Sequence, residues 1–140
     1  MVNFMVYVAA NCVNKIIKLA LDGILEEVCG ILSGKKIADD IYITEIYPVE
    51  NVKHSEKSFF MNISEQFSAS KDMRSKGLIL LGNFHSHPKN TAIPSKTDMK
   101  FAYSNDAIYL IISLLNRRKP DIKVYKIINN TYIEEELLLI

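Results

Sequence analysis

The stretch Leu78-Ile79-Leu80-Leu81-Gly82-Asn83-Phe84-His85-Ser86-His87-Pro88 decides how this chain is read. Leu78–Phe84 is an apolar run with one glycine, the mark of a central strand. Residues two apart in a strand share a face. His85 and His87 can therefore point at one spot while Ser86 faces back. Pro88 cannot continue a hydrogen-bonded ladder, so the strand ends there. Two imidazoles thus arrive at a strand end, where a loop opens a pocket.

Outward from this strand, β-prone and helix-prone segments alternate. Residues 2–8 are apolar and β-prone. Asn11 is placed to cap a helix whose apolar positions are Val13, Ile16, Ile17, Ala20 and Ile24, with Gly23 near its end. Val28–Ser33 reads as a buried strand closed by Gly34 and two lysines, and Ile41–Val49 as a longer strand ending near Pro48. Asn51–Lys57 is a polar loop and Ser58–Ile63 a short strand. Ser64 opens a second helix to about Lys76, with Gly77 as its stop. After the loop Pro88–Pro94, Ser95 opens a short third helix to about Ser104. Ala107–Leu115, Ile122–Ile128 and Tyr132–Leu139 read as closing strands, the last two joined by a turn at Asn129-Asn130. These elements predict an α/β fold, a mixed central β-sheet flanked by helices. Helices are too few for a doubly wound dinucleotide-binding fold, and no GxGxxG occurs.

The chain's 140 residues are expected to form a single domain, residues 1–140, with 49% hydrophobic and 24% charged residues and a net charge of +1. Such a balance disfavours disorder, a polybasic partner, nucleic acid and an anionic membrane. Cys12 and Cys29 are too few for a disulfide scaffold, and their spacing is not that of a zinc knuckle. The N-terminal residues lack the features of a secretory signal, and no apolar run approaches the ~20 residues of a membrane span. The expectation is a reduced, cytoplasmic protein.

Two histidines need a third donor to hold a metal. Asp98, in Pro94-Ser95-Lys96-Thr97-Asp98, follows His87 by eleven positions. In the first turn of a helix opened by Ser95 it would aim back at the strand end. Two histidines and one carboxylate with an open position suit a hydrolytic zinc centre or non-haem iron. Ser95-x-x-Asp98 also fits a helix capping box, and both readings can hold together.

With these residues in view, the chain resembles the JAMM (MPN-domain) zinc metalloproteases. His85-Ser86-His87-Pro88, an eight-position step to Ser95 and Ser95-x-x-Asp98 match their motif, and Glu27-Val28-Cys29-Gly30 matches its upstream Glu-x-x-Gly. Glu26 lies one step out of register. The resemblance covers nearly the whole chain and is strongest to short prokaryotic members. It implies the JAMM/MPN (cytidine-deaminase-like) fold and Zn²⁺ held by His85, His87 and Asp98. It also implies Glu27 as general base and then acid, and Ser95 as support for the oxyanion. The implied activity is hydrolysis of the peptide or isopeptide bond after the C-terminal Gly-Gly of a ubiquitin-like or sulfur-carrier protein, with a homodimer left open.

Two rival readings are a non-catalytic MPN-type binding scaffold and a RadC-like DNA-repair-associated protein. Scaffold members usually lack the metal ligands that are intact here. RadC-like chains usually carry an extra helical DNA-binding segment, and the +1 charge does not suit one. Among single residues, His54 in its polar loop reads as solvated or as a substrate contact, and Asn83 as a strand residue. Phe59, Phe60 and Phe67 read as core. The acidic run Glu134–Glu136 reads as a solvated turn or strand edge.

Overall fold

Residues 4–140 are described by the computed structural model; positions 2 and 3 of the first β-prone stretch lie outside the described residues. In chain order the elements are β1 (Val6–Val8), α1 (Ala10–Asp22), β2 (Cys29–Ile37), β3 (Asp40–Val49), α2 (Ile63–Ser75), β4 (Ile79–His87), α3 (Lys96–Lys100), β5 (Ile108–Ser113), β6 (Asp121–Ile128), β7 (Thr131–Glu135) and β8 (Leu137–Leu139). The strands form one sheet in the order β7-β6-β5-β4-β2-β3-β1-β8. Pairing is parallel for β4–β5, β1–β3 and β1–β8, and antiparallel elsewhere. The expected mixed α/β sheet is therefore present, with β4 in its middle.

Alternation along β2 assigns the helices to the two faces. Leu32 packs with Cys12, Ile16 and Ala20 of α1, together with Phe84 and Leu110. Its neighbour Ile31 packs with Ala69 and Met73 of α2. In the β2–β4 ladder Cys29 lies opposite His85 and Ile31 opposite Asn83. Paired residues share a face, so Asn83, His85 and His87 lie on the α2 face. Phe84 and Ser86 lie on the α1 face.

The chain departs from the sequence reading at several ends. Helix α1 starts at Ala10, with Ala9 as an N-cap that makes no side-chain bond, rather than at Asn11. Its free N–H groups are met by the sheet instead: Ala9 N–H donates to Ile43 O and Ala10 N–H to Ile140 O. Helix α2 is capped by Asn62, whose Oδ1 accepts from Glu65 N–H at 3.0 Å, not by Ser64. Gly77 then reverses the chain at φ +69°, as its stop role requires.

Strand β2 continues through Gly34 and both lysines to Ile37. A bulge at Ser33/Gly34 brings the backbones so close that a Cβ on Gly34 would meet Tyr42 O at 1.8 Å. Pro48 sits inside β3, opposite Gly30, where β1 no longer pairs the other edge. Ser58–Ile63 is not a strand. It makes a single bridge, Asn51 to Met61, because the Asn51 side chain occupies Ser58 O and Phe60 N–H. Helix α3 ends at Lys100, well short of Ser104.

Tyr132–Leu139 is two strands. β7 pairs β6 at one edge of the sheet and β8 pairs β1 at the other, with only Glu136 between them. Cα atoms two residues apart are at most about 7.6 Å apart, so the sheet curls until its edges meet at that corner. Asn129 and Asn130, at φ +52° and +59°, make the β6–β7 turn that the sequence indicates. Phe60 and Phe67, expected in the core, are half or more exposed.

Candidate metal centre

Strand β4 delivers His85 and His87 to its C-terminal end, and α3 brings Asp98 over them. His85 Nε2, His87 Nε2 and Asp98 Oδ2 stand 3.1 Å from one another on all three edges. Three electronegative atoms at one point call for a cation. Tetrahedral bonds of 2.0–2.1 Å place neighbouring donors about 3.3 Å apart, so the triangle fits zinc closely. Two nitrogens and one carboxylate oxygen are also a donor set that zinc accepts. Among the described residues this is the one group of histidine, cysteine or carboxylate side chains so gathered.

The surroundings orient each donor. His87 Nδ1–H donates to Thr91 O at 2.8 Å, which leaves the Nε2 lone pair facing the cluster. Thr91 belongs to the loop after β4, and its neighbouring carbonyls are pinned as well. Ser113 Oγ–H donates to Asn90 O at 2.5 Å and the Tyr125 hydroxyl donates to Ala92 O. Asp98 Oδ2 accepts Ser95 N–H at 2.8 Å, while Ser95 Oγ accepts Asp98 N–H at 3.0 Å. This is the capping box expected from the sequence, and it leaves the Ser95 hydroxyl proton free. The Phe59 ring stacks on His85 with centroids 4.6 Å apart.

Glu27 is 3% exposed and stands in the short segment between α1 and β2. Its Oε2 lies 4.0 Å from His87 Nε2, and its Oε1 is buried with no partner. The backbone at this point is fixed on three sides. Glu27 N–H donates to Ser55 O at 2.7 Å, Asn51 Nδ2–H donates to Glu27 O at 3.0 Å, and Val28 N–H donates to Ser86 Oγ at 2.8 Å. Ser86, on the back face between the histidines, thus ties the Glu27 segment to the strand carrying them. Glu26, one step out of register, turns outward to His54 Nδ1 at 3.1 Å. His54 is exposed, in the polar loop where it was expected, and contacts these outer carboxylates rather than the cluster.

Gly30 completes the Glu-x-x-Gly pattern for a steric reason. A Cβ there would come within 2.3 Å of Tyr47 O and 2.4 Å of the Phe84 ring.

Electrostatics separate the two carboxyls. Burial, then the charge of Asp98, pushes Glu27 up to about 8, against a smaller pull from His87. Asp98 is also penalised by burial, but the two imidazoles and Ser95 N–H outweigh it and hold its carboxyl well below the usual range. For His87, burial opposes the charged form, yet Asp98 and Thr91 O raise it overall. An acid with raised proton affinity beside a fixed anionic donor is suited to proton transfer.

The structure brings together Glu27, His85, His87, Ser95 and Asp98, all five of the residues singled out in the sequence. Asn51, Ser86 and Thr91 support the site without a sequence signal of their own: Asn51 and Ser86 act through contacts with distant backbone, and Thr91 through its carbonyl to the His87 ring.

The family described as prokaryotic homologues of the JAB domain matches residues 9–128. The chain is 26% identical over 134 residues to a CysO-cysteine peptidase of Mycobacterium tuberculosis, covering 94% of this chain and 89% of that protein. It is 34% identical over 88 residues to a desampylase of Haloferax volcanii, covering 62% of each. A protein from Desulfitobacterium hafniense, solved in solution, superposes with a TM-score of 0.90 at 37% identity, covering 97% of this chain and 93% of that one.

Proposed function

The chain belongs to the family of prokaryotic homologues of the JAB domain, and from that premise we propose that it is a zinc-dependent peptidase cleaving after the C-terminal Gly-Gly of a sulfur-carrier or ubiquitin-like protein. Like the relatives named a peptidase and a desampylase, it is a hydrolytic enzyme. Those relatives also support the substrate class. The observation that carries the chemistry is the 3.1 Å triangle of His85, His87 and Asp98 beside the unpartnered Oε1 of Glu27.

In this reading His85 Nε2, His87 Nε2 and Asp98 Oδ2 hold the ion. Zinc bound there supplies a Lewis acid that brings the pKa of a water to about 7. Glu27 takes a proton on its carboxylate and returns it to the departing amine. The Ser95 hydroxyl, whose oxygen already accepts Asp98 N–H, donates its free proton where charge develops on the scissile carbonyl oxygen. The phenyl ring of Phe59 and the body of the sheet keep bulk water from His85. The catalytic unit is the single domain expected of the chain. The two buried free cysteines fit a reducing cytoplasm. Among the described residues no helix is long and apolar enough to cross a membrane.

The test is incubation of the zinc-loaded protein with a carrier bearing an amino acid or a lysine-linked peptide on its terminal glycine. Mass measurement should show the carrier ending in Gly-Gly. Zinc-loaded protein that leaves both adducts intact contradicts the proposal.

A further inference from the structure

Three buried side-chain atoms among the described residues lack a hydrogen-bond partner: Glu27 Oε1, His85 Nδ1 and Asn83 Oδ1. The first two belong to the metal cluster. Asn83 does not, and it is 94% buried, at 6% exposure. An unpaired buried acceptor is costly, and in a native protein it calls for an explanation.

Asn83 lines a cavity of about 210 Å³ that also reaches His85 and Asp98. Its walls are mostly apolar, built from Phe59, Phe60, Phe101, Tyr103 and Ile127, with Thr97 and with Lys53 Nζ 5.8 Å from the Phe101 ring centroid. Two other polar side chains on the wall are already engaged. The Tyr109 hydroxyl accepts Tyr103 N–H and Ser104 N–H and donates to Ser104 O. Gln66 Nε2–H donates to Met61 O. The Asn83 amide thus brings an unpaired polar group to a wall that is otherwise mostly apolar.

The cavity's place in the site says which half of a substrate it faces. Along β4 the order is Asn83, His85, His87, with about 6.8 Å between alternate residues. Glu27 stands at the His87 end, 4.0 Å from its Nε2. A proton passed from Glu27 to the leaving amine puts that amine at the His87 end. The acyl half then runs the other way, over His85 toward Asn83. The cavity spreads from β4 to Ile127 on β6, two strand spacings or about 9–10 Å. An extended chain covers ~7 Å in two residues, so the residue before Gly-Gly reaches this space.

Resting on the Gly-Gly peptidase reading, we propose that this cavity is the specificity subsite for the residue immediately before the Gly-Gly. It takes an apolar side chain, while the Asn83 amide makes one hydrogen bond to the main chain of the tail. The two glycines pass the narrow metal site; the pocket reads the next side chain.

The experiment uses zinc-loaded protein and N-acetylated X-Gly-Gly-7-amido-4-methylcoumarin peptides, with X as Phe, Leu, Asp or Lys. Binding is measured on the Glu27→Gln form and turnover on the wild type. Phe and Leu peptides should bind at least about tenfold tighter than Asp or Lys peptides, from burial of one apolar side chain. Adding Asn83→Leu to the Glu27→Gln form should weaken binding of every peptide about five- to tenfold, as loss of one hydrogen bond predicts, and keep the preference for apolar X. That variant should also melt no lower than its parent, because it removes an unpaired buried polar atom. Phe60→Ser, at a half-exposed position, should narrow the preference between apolar and charged X.

Equal affinity for all four peptides, or undiminished binding with Asn83→Leu, overturns the subsite. Cleavage of all four at equal kcat/KM also overturns it and leaves the peptidase reading standing. Failure to cleave any of them, with a clear preference for apolar X in binding, overturns the peptidase reading instead and supports the pocket.

Discussion

Glu27→Gln in the metal-free protein isolates what burial does to this carboxyl. The Glu27 carboxyl rises from 4.5 to about 8 in the fold, first through burial and then through Asp98. At about 1.4 kcal/mol per pH unit, full ionisation of the buried group costs ~5 kcal/mol of stability. The sign follows from proton binding. Between pH 4.5 and about 8 the folded state holds this proton and the unfolded state has lost it. Stability therefore falls as pH rises through that window and is flat above it with respect to this group. Glutamine is neutral throughout and shows no such loss.

Urea unfolding of chelator-treated wild type and variant, at one-unit steps from pH 5 to 9, gives the difference directly. Groups remote from Glu27 are the same in both proteins and cancel in the difference. The variant should gain on the wild type by about 1 kcal/mol per pH unit up to pH 8 and then hold level. Added zinc should flatten the wild-type curve, because a nearby cation favours the carboxylate. Curves that stay parallel within about 0.5 kcal/mol from pH 5 to 9 would refute a desolvated Glu27.

Ser86→Ala removes the acceptor of Val28 N–H. It should cost about 1–3 kcal/mol in urea melts, and it should lower turnover more than zinc affinity. Gly30→Ala drives a Cβ to 2.3 Å from Tyr47 O and 2.4 Å from the Phe84 ring. Repacking there should cost about 1–3 kcal/mol or more, again read from the unfolding midpoint. Cys29 is buried and pushed up to about 12, and Cys12 is buried and also raised. Native protein should therefore leave both thiols unreacted with a disulfide reagent at pH 8 over the time in which guanidinium-unfolded protein titrates two.

What was legible in the sequence was local. His85 and His87 share a face because a strand alternates, and Ser95-x-x-Asp98 makes a capping box because helix starts leave N–H groups to satisfy. Both rules act within a few residues, so the two histidines and Asp98 could be grouped from sequence, whereas Glu27 came only from the family resemblance. The errors arose where a distant group took over a local role. Helix α1 starts early because Ile43 O and Ile140 O satisfy its first N–H groups. Ser58–Ile63 fails as a strand because one side chain, Asn51, takes the bonds a neighbouring strand would have made. The split of Tyr132–Leu139 follows from curling of the whole sheet, which no window of sequence contains. Asn83 looked like an ordinary strand residue, and only its burial without a partner sets it apart.

Everything proposed for the chemistry depends on His85, His87 and Asp98 forming one zinc centre. Anomalous diffraction at the zinc edge from crystals of the zinc-loaded protein tests it most directly. One strong peak is expected, about 2.0–2.2 Å from His85 Nε2, His87 Nε2 and Asp98 Oδ2 together. Zinc-saturated crystals with that position empty, or with the peak on other side chains, would contradict it.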